Sequence, residues 1–417
     1  MKHAQSLPEP SADALEHSNK LIANIRKAID ANGGSISFKR YMEMALYEPG
    51  LGYYVAGTHK IGAQGDFTTA PQISPLFSQC IANQCAEVLN TINTENPSAQ
   101  HKFQNRFYKT KTNCHSKVGG CILEFGAGTG IMAAQILLEL EQQNCLPDSY
   151  YILDLSPDLQ HRQKQTIEIS APHLLDKVIW ISELPQHFSG VVLANEVLDA
   201  MPVDVFTQHE DIVYEHHVIW QNDGLIEQLR PATETNPALH DRVLRLNISK
   251  EATPYTSEIN SNIEPWLKTI AECIEKGLVL LIDYGYPRKE YYLAERNKGT
   301  LICHYQHLVN EAPLLYTGLQ DITASVDFTA VAEAADNSDL EVEGFTSQAC
   351  FLANTGLEGF FKQALENNPD NQYALAQQIR TLTLPAEMGE RFKCMGLTKD
   401  YPHQLCGFKE FDQRYRL

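Results

Sequence analysis

The sequence has no long apolar run. Its tightest, Leu278–Val279–Leu280–Leu281–Ile282, falls far short of the ~20 residues a bilayer-spanning helix needs, so no membrane insertion is expected. Positive charge is scarce: 33 Lys and Arg against 52 Asp and Glu leave a formal net charge of −19 in 417 residues. A nucleic-acid binder needs a basic face to displace phosphate counterions, and docking on an anionic membrane surface needs one too. Neither is expected as a general partner. The first twenty residues show neither the apolar stretch of a signal peptide nor the Arg-rich, acid-poor character of a transit peptide. Metal-ligand spacing is missing as well. Ten cysteines run from Cys80 to Cys406 without a CxxC, and fifteen histidines form no HExxH. In a chain of this length that pattern reads as reduced thiols, with no disulfide frame and no metal. The expectation is a cytoplasmic, metal-free protein.

What is present points to an α/β fold. The composition, 43% apolar, is that of a globular protein, and at ~150 residues per domain the length allows one large core or two to three domains. Residues 1–17 read as a disordered lead. Helices are predicted over Asn19–Ala31, Phe38–Leu46 and from Ser74–Pro75, where Ser caps and Pro occupies the first turn. Residues 92–117 are polar and irregular and read as an exposed insertion. From Val118 short apolar strands alternate with helices. The strands are Cys121–Phe125, Tyr151–Leu155, Val178–Ile181, Val191–Ala194 and Val279–Tyr284. Such alternation predicts a parallel sheet covered by helices on both faces. Between Pro202 and Glu264 the rhythm breaks into antiparallel strands, with Asn222–Asp223–Gly224 as a hairpin turn. A late strand is expected near Phe392–Met395.

The sharpest local signal is Glu124–Phe125–Gly126–Ala127–Gly128–Thr129–Gly130, which leaves a strand and opens a helix. Glycine permits positive φ and close backbone approach, so a ligand can sit against the helix N-terminus. Dinucleotide folds want GxGxxG, but this chain has Ile131 at the last position. Its acidic head, Glu124, would repel pyrophosphate and suits a cationic ligand. Both points favour S-adenosylmethionine, which carries a sulfonium and an ammonium and no phosphate. Asp154 ends the next strand, either accepting ribose hydroxyls or capping the turn before Pro157. The fourth strand ends in Ala194–Asn195–Glu196–Val197–Leu198–Asp199–Ala200–Met201–Pro202. Asn195, Glu196 and Asp199 are candidates to orient or deprotonate a methyl acceptor; Asn195 and Asp199 are equally good helix caps.

Together these motifs resemble the MidA family of S-adenosylmethionine-dependent methyltransferases, a group with a mitochondrial complex I assembly methyltransferase and many bacterial members. The matching stretches cover most of the chain. They are Tyr41–Met42 with Leu46–Tyr47 and Gly52–Tyr53–Tyr54, Gly65–Asp66–Phe67–Thr68–Thr69–Ala70–Pro71–Gln72–Ile73–Ser74, the glycine loop, the Ala194–Pro202 stretch, Asp283–Tyr284–Gly285–Tyr286, Asp321–Phe328 and Met388–Gly389–Glu390–Arg391–Phe392. The chain departs from the family at Phe125 and Ala127–Gly128–Thr129, where members often carry Leu and Pro–Gly–Arg/Thr.

The resemblance implies a Rossmann-like, seven-stranded class I methyltransferase core with an N-terminal helical cap and a β-rich insertion after the fourth strand. The expected division is a cap and lid over 1–117 and a core over 118–417, with the insertion at about 203–264. It implies methylation of a protein arginine. The acceptor would be a protein, with a respiratory-complex subunit as one candidate; oligomeric state is open, a homo-oligomer included. Carried onto this chain, S-adenosylmethionine would be held by Gly65, Asp66, Glu124, Gly126, Gly128, Gly130 and Asp154. Asn195, Glu196 and Asp199 would be catalytic. Asp283, Tyr284 and Asp327 would face the acceptor, although Asp327 also suits the N-cap of a helix beginning at Phe328. A docking or assembly protein that keeps the cofactor fold, and a small-molecule methyltransferase, are the alternatives.

Overall fold

A computed structural model describes residues 7–56, 68–95, 120–248 and 254–417. Contacts divide the chain into two units. One comprises 69–197, 264–285 and 329–417; the other comprises 1–68, 198–263 and 286–328.

The first unit is built on a sheet ordered Glu341–Ser347, Phe392–Lys399, Ile274–Tyr286, Phe188–Asn195, Cys121–Phe125, Tyr150–Leu153, Val178–Ile181. The Cys121–Phe125 strand is parallel to its neighbours on both sides, and Phe188–Asn195 is parallel to Ile274–Tyr286. Phe392–Lys399 runs antiparallel to both of its partners. Numbered along the chain the order is 6-7-5-4-1-2-3, so the connection reverses direction at the first strand. The expected seven-stranded, Rossmann-like core is therefore present. Adjacent residues Ile122 and Leu123 point to opposite faces and are both fully buried, as a doubly covered parallel strand requires. The helix Pro75–Glu95 supplies Phe77, Ile81, Val88 and Leu89 to the core, and Ile131–Gln142 supplies Ile136, Leu137 and Leu140. Ser74 Oγ accepts from the Leu76 amide 3.3 Å away, which fixes the start of the first of these helices.

The second unit carries an antiparallel sheet ordered Ile36–Ser37, Ile212–Gln221, Asp204–His209, Tyr255–Ile259, with Gly224–Pro231 also paired to Ile212–Gln221. The hairpin sets Gln221 opposite Gly224, and Asn222 and Asp223 both take positive φ (51° and 57°), the geometry a two-residue turn demands. A smaller sheet joins Ile302–Tyr305 to Leu308–Asn310 and Asp321–Thr323. The helices Ala12–Ala31 and Phe38–Tyr47 bury Leu21, Ile25, Tyr41 and Met42 in this unit's own core.

Two expectations change. The first helix begins at Ala12, inside the stretch read as a disordered lead, because Ser11 caps it through the Ala14 amide. The grouping of segments also differs from a cap, a core and an insertion. The N-terminal helices and 198–263 fold together with 286–328, whereas Pro75–Glu95, expected within the N-terminal cap, packs into the seven-stranded unit. The expected boundary at 117 and nearly all of the 92–117 segment lie outside the described residues. Among the described residues no helix is long and apolar enough to cross a membrane.

Candidate active site

Sheet register places the candidate residues of the seven-stranded unit in one row. Ala194 pairs with Phe125 on one side and Leu281 on the other, and Phe125 pairs with Leu153. One position further along these strands come Asn195, Gly126, Ile282 and Asp154, followed by Glu196, Ala127 and Asp283. This row is the carboxyl edge of the parallel strands at the point where strand order reverses, where open α/β sheets bind ligands.

The glycine loop takes left-handed φ at all three glycines: 60° at Gly126, 53° at Gly128 and 81° at Gly130. At Gly130 there is a second constraint. A Cβ there would lie 2.8 Å from Cα of Gln163, so the glycine lets the Pro157–Ser170 helix approach. Gln163 escaped the sequence reading, yet it is fully buried and ties the loop to the next strand. Its amide nitrogen donates to the Gly128 carbonyl (3.2 Å) and to Asp154 Oδ2 (2.8 Å), while its oxygen accepts from Trp180 Nε1 (2.9 Å). Asp154 Oδ1 accepts from the Ser156 amide at 2.9 Å. Desolvation by burial raises the Asp154 pKa, offset in part by these two bonds. A polar side chain inside a polar helix gives no signal in periodicity alone, which is why Gln163 was missed.

Glu124 is not an open anionic head. It is 1% exposed, and Tyr150 donates its hydroxyl to Oε2 at 2.8 Å. Burial pushes its pKa from 4.5 up to about 8, against the lowering effect of the Tyr150 bond. Burial therefore favours the neutral form of this carboxyl.

Asn195 and Glu196 close the fourth strand. Glu196 adopts φ 53°, uncommon outside glycine and costly unless surrounding structure enforces it. Its amide is fixed to the Ile282 carbonyl (2.9 Å), and its carboxylate accepts from Asn195 Nδ2 (3.2 Å). Asn195 Oδ1 is buried with no hydrogen-bond partner in the described structure, a polar atom that a ligand donor would satisfy. Asp283 is fully buried, accepts from the Tyr284 amide (2.9 Å) and stands opposite Lys393 in register. The Tyr284 ring meets Phe392 edge-on at 5.6 Å.

Asp199 and Asp327 belong to the other unit, which has its own polar cluster. Asp199 is 5% exposed and its carbonyl accepts from the Ala324 amide at 3.0 Å. Tyr47 donates to the Ala200 carbonyl (2.9 Å), Tyr54 donates to Asp321 Oδ1 (2.8 Å), and the two rings stack with centroids 5.5 Å apart. Three of the quoted motif stretches thus meet within this unit. Asp327 pairs with Arg288 Nε at 3.0 Å. Gly65 and Asp66 lie outside the described residues. Among the described residues no group of three or more His, Cys, Asp or Glu is placed to hold a metal ion.

A family model described as S-adenosyl-L-methionine-dependent methyltransferase matches residues 103–346. A COG1565 superfamily member from Burkholderia thailandensis, solved with S-adenosyl-homocysteine bound, superposes with a TM-score of 0.87 at 35% identity, covering 99% of this chain and 100% of that one. The protein arginine methyltransferase NDUFAF7 of Danio rerio, mitochondrial, is 28% identical over 86% of this chain and 82% of its own length. Its Drosophila melanogaster homolog, also mitochondrial, is 26% identical over 95% of this chain and 89% of its own length. The chain belongs to this family of S-adenosylmethionine-dependent methyltransferases.

Proposed function

We propose that this methyltransferase modifies an arginine side chain of a protein. S-adenosylmethionine, when bound, supplies an electrophilic methyl group on a sulfonium. The residues of the row at the strand ends fit such a ligand: Gly126 and Gly128 leave the backbone open at positive φ, Asp154 retains lone pairs for ribose hydroxyls, and Glu124 has the chemistry to pair with an ammonium. Gly65 and Asp66 are proposed to complete the cofactor site, with Gly130 keeping its loop in register.

The observation that carries the reading is Glu196, held in a left-handed conformation at the end of the fourth strand beside the orphaned Asn195 oxygen. Strain of this kind is retained where it aims a side chain. The Glu196 carboxylate and the Asn195 carbonyl are both acceptors, suited to the N–H groups of a guanidinium. Fixing those N–H groups would hold the acceptor nitrogen in line and take up its proton as the new bond forms. Asp199 is proposed to have a catalytic role, and Asp283, Tyr284 and Asp327 a role in acceptor binding. The arginine methyltransferase names of the curated relatives support the acceptor type, and a respiratory-complex subunit is the first acceptor to test. The cytoplasmic setting expected from the sequence remains part of the proposal; the curated relatives carry mitochondrial names.

The test is incubation of the full chain with tritium-labelled S-adenosylmethionine and a cell extract from which the protein has been deleted. A labelled protein band that yields methylarginine on hydrolysis is expected. Label confined to methyl-lysine or to the low-molecular-weight fraction would overturn the acceptor assignment.

A further inference from the structure

The unit that carries the N-terminal helices contains a buried relay that the methyl-transfer proposal does not use. Ser35 follows Gly33 and Gly34, which leave the first helix with φ 73° and 95°. The next residues pair with Ile212–Gln221, setting Ile36 opposite Val218 and Ser37 opposite His217. This pairing brings Ser35 Oγ to 3.2 Å from His217 Nδ1. On the other side of the ring, His217 Nε2 lies 2.9 Å from Glu215 Oε2. Glu215 and His217 are two residues apart on one strand and share a face. Asn236 Nδ2 donates to Glu215 Oε1 at 3.3 Å, and Arg230 Nη1 donates to Ser35 Oγ at 2.7 Å. Ser35, His217 and Glu215 are only 6%, 8% and 3% exposed.

The ionised carboxylate only accepts, so a proton of His217 lies on Nε2 towards Glu215. In the neutral ring Nδ1 then offers a lone pair to the Ser35 hydroxyl, whose oxygen accepts from Arg230. A hydroxyl bonded to a base, and a base oriented by a carboxylate, is the arrangement that activates a nucleophile. The relay borders an open surface groove of about 390 Å³ whose lining includes Ser35, Arg230, Gly33, Gly34, Leu229 and Pro231.

We propose that Ser35 is the nucleophile of a second, acyl-transferring site that takes small esters, independent of methyl transfer. Ser35 Oγ bonds to the ester carbonyl carbon while its proton passes to His217 Nδ1, and Glu215 stabilises the imidazolium. Arg230, already directed at Ser35 Oγ, donates to the oxyanion that forms beside it. Collapse breaks the bond to the leaving oxygen, which takes the proton from Nδ1. Water, deprotonated by His217, then releases the acid and regenerates Ser35.

The test uses the purified full chain with a fluorophosphonate probe and with p-nitrophenyl acetate, and maps the adduct by peptide mass spectrometry. A single adduct on Ser35 and release of p-nitrophenolate are expected. Ser35→Ala should lose both, and His217→Gln should slow both by ~100-fold or more, the usual contribution of a general base. Glu215→Gln keeps an acceptor for His217 but not the charge; it should slow labelling at least ~10-fold while melting and S-adenosyl-homocysteine binding stay at wild-type values. An unlabelled Ser35, hydrolysis that survives Ser35→Ala, or a Glu215→Gln protein labelled at the wild-type rate would reduce the relay to a structural pin and overturn the proposal.

Discussion

Glu124 offers the most direct test of how the cofactor loop is built. Its carboxyl is fully enclosed, and burial raises its pKa from 4.5 to about 8. In the unfolded chain the same group ionises near its ordinary value. Between those two values the folded protein therefore holds a proton that the unfolded chain has lost. The stabilising contribution is complete below pH ~4.5, declines as pH rises and is gone once pH passes the folded value. At ~1.4 kcal/mol per pH unit the interval is worth about 5 kcal/mol, and relaxation and water entry around a buried carboxylate cut the realised effect to about 2–4 kcal/mol.

Glu124→Gln removes the titration but keeps an oxygen for the Tyr150 hydroxyl. Melting temperatures of both proteins, followed by circular dichroism from pH 5 to pH 9, should reveal the difference. At pH 5 the wild type should be equal or more stable. By pH 9 it should have lost about 5–15 °C relative to the variant, taking ~2–4 °C per kcal/mol for a unit of this size. Titrations elsewhere in the protein are common to both chains and cancel. Parallel curves across the whole range would refute the reasoning, because they would mean that Glu124 is ionised throughout. The same group makes a second readout possible. If the cofactor's ammonium pairs with Glu124, binding S-adenosyl-homocysteine at pH 7 should release up to one proton from the wild type and none from Glu124→Gln. Calorimetry in buffers of different ionisation enthalpy measures this.

Gly128→Val should weaken S-adenosyl-homocysteine by ~100-fold or more in calorimetry, because a β-branched residue resists φ 53° and covers the backbone a ligand must approach; unchanged affinity would remove the loop from the cofactor site. Gly130→Ala should instead cost about 2–4 kcal/mol of stability in denaturant unfolding, since its Cβ would stand 2.8 Å from Gln163 Cα. Gln163→Leu should lose about 1–3 kcal/mol by stranding Asp154 and the Trp180 N–H, and should weaken S-adenosyl-homocysteine as well; wild-type affinity would show that the bridge serves the fold alone. Asp199→Ala should lower turnover on a labelled acceptor far more than it lowers cofactor affinity, and equal losses would make Asp199 structural.

Six strands of the seven-stranded unit were legible because they are short apolar runs ended by polar or glycine residues; the strand Glu341–Ser347 carries no such run, and the count of seven came from the family resemblance. The grouping of segments was not legible. Ile36–Ser37 contributes only two residues to a sheet, too few to leave a period, yet that pairing helps gather the N-terminal helices with residues far along the chain. Nor could the sequence say that Pro75–Glu95 belongs elsewhere, because an amphipathic helix declares that it has a partner without naming it.

At the site, the divide is between residues fixed by backbone and residues fixed by neighbours. The positions of Gly126, Gly128, Asn195, Glu196 and Asp154 at strand ends and in the loop were readable, because strand ends and glycine turns leave marks in sequence spacing. Glu124 was readable as a position but not as a charge. Its protonation depends on Tyr150 and on burial from every side, quantities that exist only once the strand has neighbours. The same holds for Gln163. Its three hydrogen bonds join a loop, a strand end and a tryptophan that lie 35, 9 and 17 positions away. If the glycine loop is held open by Gln163 as much as by its glycines, cofactor affinity should respond to Gln163 and Gly128 non-additively. A double-mutant cycle on S-adenosyl-homocysteine binding would then give a coupling energy well above the ~0.5 kcal/mol scatter of independent sites. Additive losses would return Gln163 to the packing of its own helix.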